Sequence, residues 1–162
     1  MKTLILVRHG KSSWEYDVSD KDRPLKERGI HDAHMVSKML KKENINISFA
    51  YSSPANRALH TAMIFLQKLE YEFQNFEIKD VLYDFSGERL KDFVHGIDNS
   101  LHTVLIFGHN YAFTNMVNIW GDTYIENVPT SGLVQIQFDE NDWSRISNGK
   151  TKRVLFPKQL RG

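Results

Sequence analysis

Two arginines and two histidines stand where this sequence changes from apolar to polar: Arg8 and His9 in Arg8-His9-Gly10, Arg57 after Ser52-Ser53-Pro54, and His109 in Gly108-His109-Asn110. Arginine forks match phosphate oxygens in bidentate geometry, and an imidazole can attack phosphorus through an unprotonated ring nitrogen. The attack requires the other nitrogen to donate a hydrogen bond, which fixes the tautomer. The chemistry expected of the four residues together is phosphoryl transfer through a phosphohistidine on His9. Arg8, Arg57 and a protonated His109 would neutralise charge on the equatorial oxygens during in-line transfer. This chemistry requires no metal and no cofactor. Backbone N–H groups at helix starts after Pro54 and Asn110 would add partial positive charge. Lys11, Ser12 and Asn110 are further candidates for phosphate contacts, and Gly10 would let the backbone turn sharply and lie close to a ligand.

Positioning these residues requires elements that end at one edge. Thr3 to Val7 and Thr103 to Phe107 are unbroken apolar runs, as expected for strands buried on both faces. Ser48 to Ser52 reads as a strand between them. Helical spacing of Ile30, Ala33, Ser37 and Leu40 predicts a helix over about Gly29 to Lys42. Ser53-Pro54 supplies an N-cap hydroxyl and a first-turn proline for a helix toward Leu69, with Arg57 on its first turn. A weak strand is predicted near Ile78 to Leu82, a helix through Leu90, Phe93, Val94 and Ile97, and another from Phe113 to Trp120. Leu133 to Phe138 reads as a late strand. The basic tail from Lys150 to Gly162 has no clear period and is expected to be solvated. The alternation predicts a three-layer α/β/α sandwich with a mostly parallel central sheet, whose ligands bind beyond the carboxyl ends of the strands.

Composition narrows the partners. With 162 residues the chain is expected to form one domain over 1–162, and 41% hydrophobic with 25% charged residues are ordinary values for a folded protein. The absence of cysteine excludes thiolate nucleophiles and thiolate metal sites. A net charge of +1 gives no global field for nucleic acid or an anionic membrane, and the basic tail carries no stacking platform. No apolar run approaches the roughly 18 residues that span a bilayer, and a cytoplasmic location is expected. His31 and His34 lie three apart without an evident third ligand and are expected to be surface or core residues.

The motifs Leu6-Val7-Arg8-His9-Gly10-Lys11-Ser12-Ser13-Trp14, Asp22-Arg23-Pro24-Leu25 with Glu27-Arg28-Gly29, Ser52-Ser53-Pro54 with Arg57-Ala58 and Thr61-Ala62, and Gly108-His109-Asn110 together resemble the histidine phosphatase superfamily. They recur in the family's order from the first strand to Leu133, and the branch they most resemble is the short, SixA-type phosphohistidine phosphatases. The resemblance implies a phosphoglycerate mutase-like fold. It makes His9 the phosphorylated nucleophile and Arg8, Arg57 and His109 the phosphate-binding and transition-state groups. Larger members supply a carboxylic acid for the leaving group, whereas the SixA-type branch resembles an arrangement lacking one. Asp84 is the candidate for that acid, set against a loop or helix-capping aspartate.

The resulting expectation is a metal-independent phosphatase that removes phosphate from phosphohistidine or another phosphorylated side chain on a protein and releases inorganic phosphate. A small-molecule phosphomonoesterase on the same core is the alternative, followed by a binding module that holds phosphate without turnover. A mutase would need an acid-bearing insertion that is not found. A paired-histidine phosphodiesterase needs two His-x-Thr/Ser motifs, and no histidine here has Thr or Ser at the second following position. Ser131, in Thr130-Ser131-Gly132, is an outside candidate for a pocket hydroxyl, against a turn supported by Gly132.

Overall fold

A computed structural model describes residues 1–161; Gly162, at the end of the expected tail, lies outside the described residues. Six strands form one sheet in the order β3-β2-β4-β1-β5-β6. They are β1 (Lys2–Arg8), β2 (Phe49–Ser52), β3 (Phe76–Ile78), β4 (Thr103–Gly108), β5 (Leu133–Phe138) and β6 (Lys150–Leu155). β1, β2, β3 and β4 run parallel, and β5 alone opposes its two neighbours. The five helices are α1 (Glu27–Lys42), α2 (Asn56–Lys68), α3 (Glu88–His95), α4 (Ala112–Trp120) and α5 (Pro157–Arg161).

The unbroken apolar runs follow from burial on both faces. Leu4 and Leu6 of β1 pack with Val94, Phe113 and Val117 of α3 and α4, while Ile5 and Val7 pack with Val36, Leu40 and Phe65 of α1 and α2. Successive side chains of a strand point to opposite faces, so a strand between two helical layers needs an apolar residue at every position. Register then sets the site: Arg8 pairs with Gly108, and Ser52 with Phe107. The residues that follow, His9, Ser53 and His109, therefore leave the sheet at one level.

Three local expectations are corrected. Ile78 to Leu82 is not a strand: β3 ends at Ile78, and Asp80–Leu82 form a 3-10 turn. The α2 N-cap position is Ala55 rather than Ser53, which lies two residues earlier and whose Oγ accepts the Ala55 N–H. The basic tail is ordered structure. β6 pairs with β5 along the sheet edge, and α5 carries Arg161 to the buried Asp32 carboxylate at 2.7 and 2.8 Å. A carboxylate 2% exposed needs such a partner, and the tail's aperiodic pattern reflects an edge strand followed by a single short helix. Among the described residues no helix is long and apolar enough to cross a membrane.

Candidate active site

The loop after β1 is held by backbone crowding. A side chain on Gly10 would come within 2.9 Å of the Gly29 carbonyl, and one on Gly29 within 2.3 Å of the Lys11 carbonyl. Both glycines are thus set by close approach between this loop and the first turn of α1. The Gly10 N–H donates to Thr61 Oγ1 on α2 at 2.9 Å, which fixes the chain beside His9.

His9 is 7% exposed, and its Nδ1 lies 2.7 Å from the Gly10 carbonyl. A carbonyl only accepts, so Nδ1 carries the proton and Nε2 keeps its lone pair. Arg57 Nε donates to that lone pair at 3.3 Å. Burial, followed by the His109, Arg57 and Arg8 charges, holds the His9 pKa well below that of free imidazole despite the opposing Gly10 bond. The ring is a neutral base at neutral pH.

His109, its ring centroid 5.3 Å from that of His9, is backed by Ser53. Ser53 Oγ accepts the Ala55 N–H at 3.1 Å and meets His109 Nε2 at 2.8 Å. Ser53 is fully buried, and among the described residues His109 Nε2 is the one acceptor its proton meets, so the hydroxyl donates to Nε2 and the His109 proton sits on Nδ1. That Nδ1 is buried without a hydrogen-bond partner, as is Arg8 Nε. Buried donors unpaired by protein are costly, so both Arg8 Nε and His109 Nδ1 are available to the oxygens of an anion. Burial, then the Arg57 charge, lowers the His109 pKa to about 3. His109 is therefore neutral in this structure rather than protonated as expected from sequence, and its Nδ1–H still donates. Ser53→Ala would release the tautomer and is expected to lower kcat/KM by about 10- to 100-fold; wild-type steady-state kinetics in this variant would show that the relay is idle.

Arg8, His9, Lys11, Ser12, Arg57 and Asn110 line one open cleft of about 260 Å³, with His109 buried behind it. Three of the residues on it are partly engaged by protein. Arg8 donates to the Val128 carbonyl at 2.9 Å, and Ser12 Oγ accepts from Arg23 at 2.6 Å. Asn110 spends Oδ1 on the Thr114 N–H and hydroxyl, and Nδ2 on Asn127. Asp84 is not on the cleft. Its carboxylate accepts the Gly87 and Leu90 N–H groups at 3.1 and 3.0 Å and ties down the turn into α3, which is the capping role weighed against acid catalysis. Ser131 has φ 60°, and its N–H reaches the Arg8 and His9 carbonyls from behind the site, while its Oγ is buried and unpartnered. His31 and His34 are exposed on α1.

Sequence reasoning missed Asp20 and assigned Arg23 only to the loop; both line the cleft. Asp20 takes Arg57 on its carboxylate at 3.0 Å and on its carbonyl at 2.6 Å, Arg23 at 3.2 Å, and the Tyr83 hydroxyl. Burial opposes its ionisation, but the bonds from Tyr83, Arg57 and Arg23 with the Arg57 charge outweigh it, leaving a pKa of about 2. No spacing rule marks Asp20, because Arg57 reaches it across 37 residues.

A mostly parallel sheet with histidines and arginines gathered beyond adjoining strand ends places the chain among α/β proteins with a site able to hold an anion such as phosphate. The chain belongs to the histidine phosphatase superfamily (branch 1), whose family model matches residues 4–86, and it is by that membership a phosphatase. Among solved structures it is similar to the protein histidine phosphatase SixA complexed with tungstate, at a TM-score of 0.78 and 21% identity, covering 98% of this chain and 99% of that one. A protein from Agrobacterium tumefaciens assigned as a SixA phosphohistidine phosphatase matches at 0.76 and 19% identity, covering 96% and 98%. A mycobacterial glucosyl-3-phosphoglycerate phosphatase matches at 0.68 and 12%, covering 94% and 97%. At these identities the likeness is one of fold.

Proposed function

We propose that this protein dephosphorylates phosphohistidine, or another phosphorylated side chain, on proteins, through a phosphohistidine intermediate on His9. The observation that carries the reading is the tautomer of His9: Nδ1 is bonded to the Gly10 carbonyl and the Nε2 lone pair is turned to the arginine. Nε2 attacks phosphorus, the bond to the leaving group breaks, and water then cleaves the phosphoenzyme to release inorganic phosphate. Arg8, Arg57 and the His109 Nδ1–H hold the equatorial oxygens, with Lys11, Ser12 and Asn110 at the edge. The incoming phosphate takes over the Arg57 donor that covers Nε2.

The substrate class rests on the acid. Among the described residues lining the cleft the one carboxylate is Asp20, whose pKa of about 2 keeps it ionised. An alkoxide leaves poorly without a proton donor, whereas imidazole leaves more readily, so phosphoramidates are favoured over sugar phosphates. The open cleft also admits a protein side chain. Comparing kcat/KM on a phosphohistidine peptide and on sugar phosphates tests this, and a preference for sugar phosphates would turn the assignment to a small-molecule phosphomonoesterase. Absence of both turnover and label on His9, in samples quenched and kept at alkaline pH where phosphohistidine survives, would leave only a phosphate-binding module.

Both histidines titrate well below free imidazole, so kcat/KM is expected to stay level as pH falls through the free-imidazole range around 6.5, after allowance for the substrate's own ionisation. A midpoint near 6.5 belonging to the enzyme would contradict it. The sign for stability is opposite in origin. Below about pH 6.5 the unfolded chain binds protons on these residues that the fold does not, so acidification from there costs stability.

A further inference from the structure

The mouth of the cleft carries aromatic surface that the phosphate chemistry leaves unused. Trp14 and Phe85 both line it, 78% and 44% exposed. Both are held in place. The Arg23 guanidinium lies 3.6 Å from the centre of the Trp14 ring, and Arg23 is itself tied to Ser12 and Asp20. One face of the indole is thereby covered and the other left open. Phe85 packs at 5.0 Å against both Tyr83 and His109. Tyr83 in turn bonds Asp20, so Trp14, Arg23, Asp20, Tyr83 and Phe85 form a continuous arc around the opening. Single exposed aromatic residues are ordinary on protein surfaces, but two held in place on the rim of one anion pocket offer flat apolar surface to whatever enters it.

The residues assigned to phosphate, Arg8, His9 and Arg57, line the same cleft inside this arc, so what meets the rings is the group attached to phosphorus opposite His9. We propose that Trp14 and Phe85 bind the flat, aromatic leaving group of the substrate; on the reading given above, which this inference deepens, that group is the imidazole of a phosphohistidine. Flat rings gain from offset or edge contacts with indole and phenyl rings, which a saturated group of equal size does not. The pair determines specificity and lies apart from the reacting atoms.

Binding of non-hydrolysable phosphonates tests this without any turnover. Calorimetry with methyl-, cyclohexyl- and phenylphosphonate on the whole protein is expected to show phenylphosphonate bound about tenfold more tightly than the other two. Trp14→Ala and Phe85→Ala should each reduce that preference, and the double variant should abolish it, with Trp14→Phe retaining most of it. Equal affinity for phenyl and cyclohexyl groups would overturn the inference, as would a preference that survives in the double variant or a loss equal for all three ligands. The result does not depend on His9, so a failed phosphoenzyme and a failed ring site are separate outcomes. If the phenyl preference holds and phosphohistidine peptide is not turned over, the ring site stands and the leaving group is another flat one.

Discussion

His9→Ala is expected to lower kcat by about four to six orders of magnitude, the scale seen when a covalent nucleophile is removed from a preorganised site. The side chain lost is 7% exposed and supplies the one free imidazole lone pair facing the arginine, since His109 Nε2 is taken by Ser53. What remains is a pocket with Arg8, Arg57 and the His109 Nδ1–H in place, so phosphate affinity should fall far less than turnover. The two readouts separate the mechanism from collapse of the site. Intact-mass analysis of enzyme quenched during turnover should find a phosphorylated species in the wild type and none in the variant. Near-normal kcat in His9→Ala, with phosphorylation absent from both, would sink the covalent route and leave direct attack by water.

Much of this arrangement could be read from the chain because it rests on two strands whose central positions, Leu4 to Val7 and Val104 to Phe107, are all apolar. A parallel strand covered on both sides must be apolar throughout, so Thr3 to Val7 and Thr103 to Phe107 announced themselves, and the polar residues after them had to lie at the sheet edge. The same logic placed Arg57, because β2 lies beside β4 and ends level with it. The tail escaped because an edge strand has one neighbour and tolerates Lys150, Lys152 and Arg153. Asp20 escaped for a different reason. Its loop has neither period nor turn signature, and its position is decided by Arg57, Arg23 and Tyr83 pulling on one carboxylate. Asp84 misled because a carboxylate after an apolar stretch looks the same whether it faces a ligand or caps a helix. Only the Gly87 and Leu90 N–H groups distinguish the two. The Ser53 relay was likewise hidden, since a serine before proline reads first as a helix cap.

Removing Arg57 should produce the second largest loss, about 10²- to 10³-fold in kcat/KM, with a signature in the pH profile. The guanidinium is 2% exposed and divides its donors: Nε to His9, the two terminal nitrogens to the carbonyl and carboxylate of Asp20. It therefore holds the nucleophile and the 20–22 turn in one geometry. Its charge also lowers the pKa of both histidines, second only to burial for His109. In Arg57→Ala that contribution vanishes, so both rings should accept protons at higher pH, and the acid limb of kcat/KM should move up toward neutrality. Asp20, keeping Arg23 and Tyr83 but losing its strongest cation, should titrate nearer to the ordinary carboxylate value. Arg57→Lys restores charge at one point but cannot reach three acceptors in different directions, so it should return the acid limb most of the way and kcat/KM only in part. A loss confined to KM, with kcat and the acid limb unmoved, would mean that Arg57 binds ground-state phosphate alone. A loss in kcat with the limb displaced would tie the same side chain to the transition state and to the neutrality of the nucleophile.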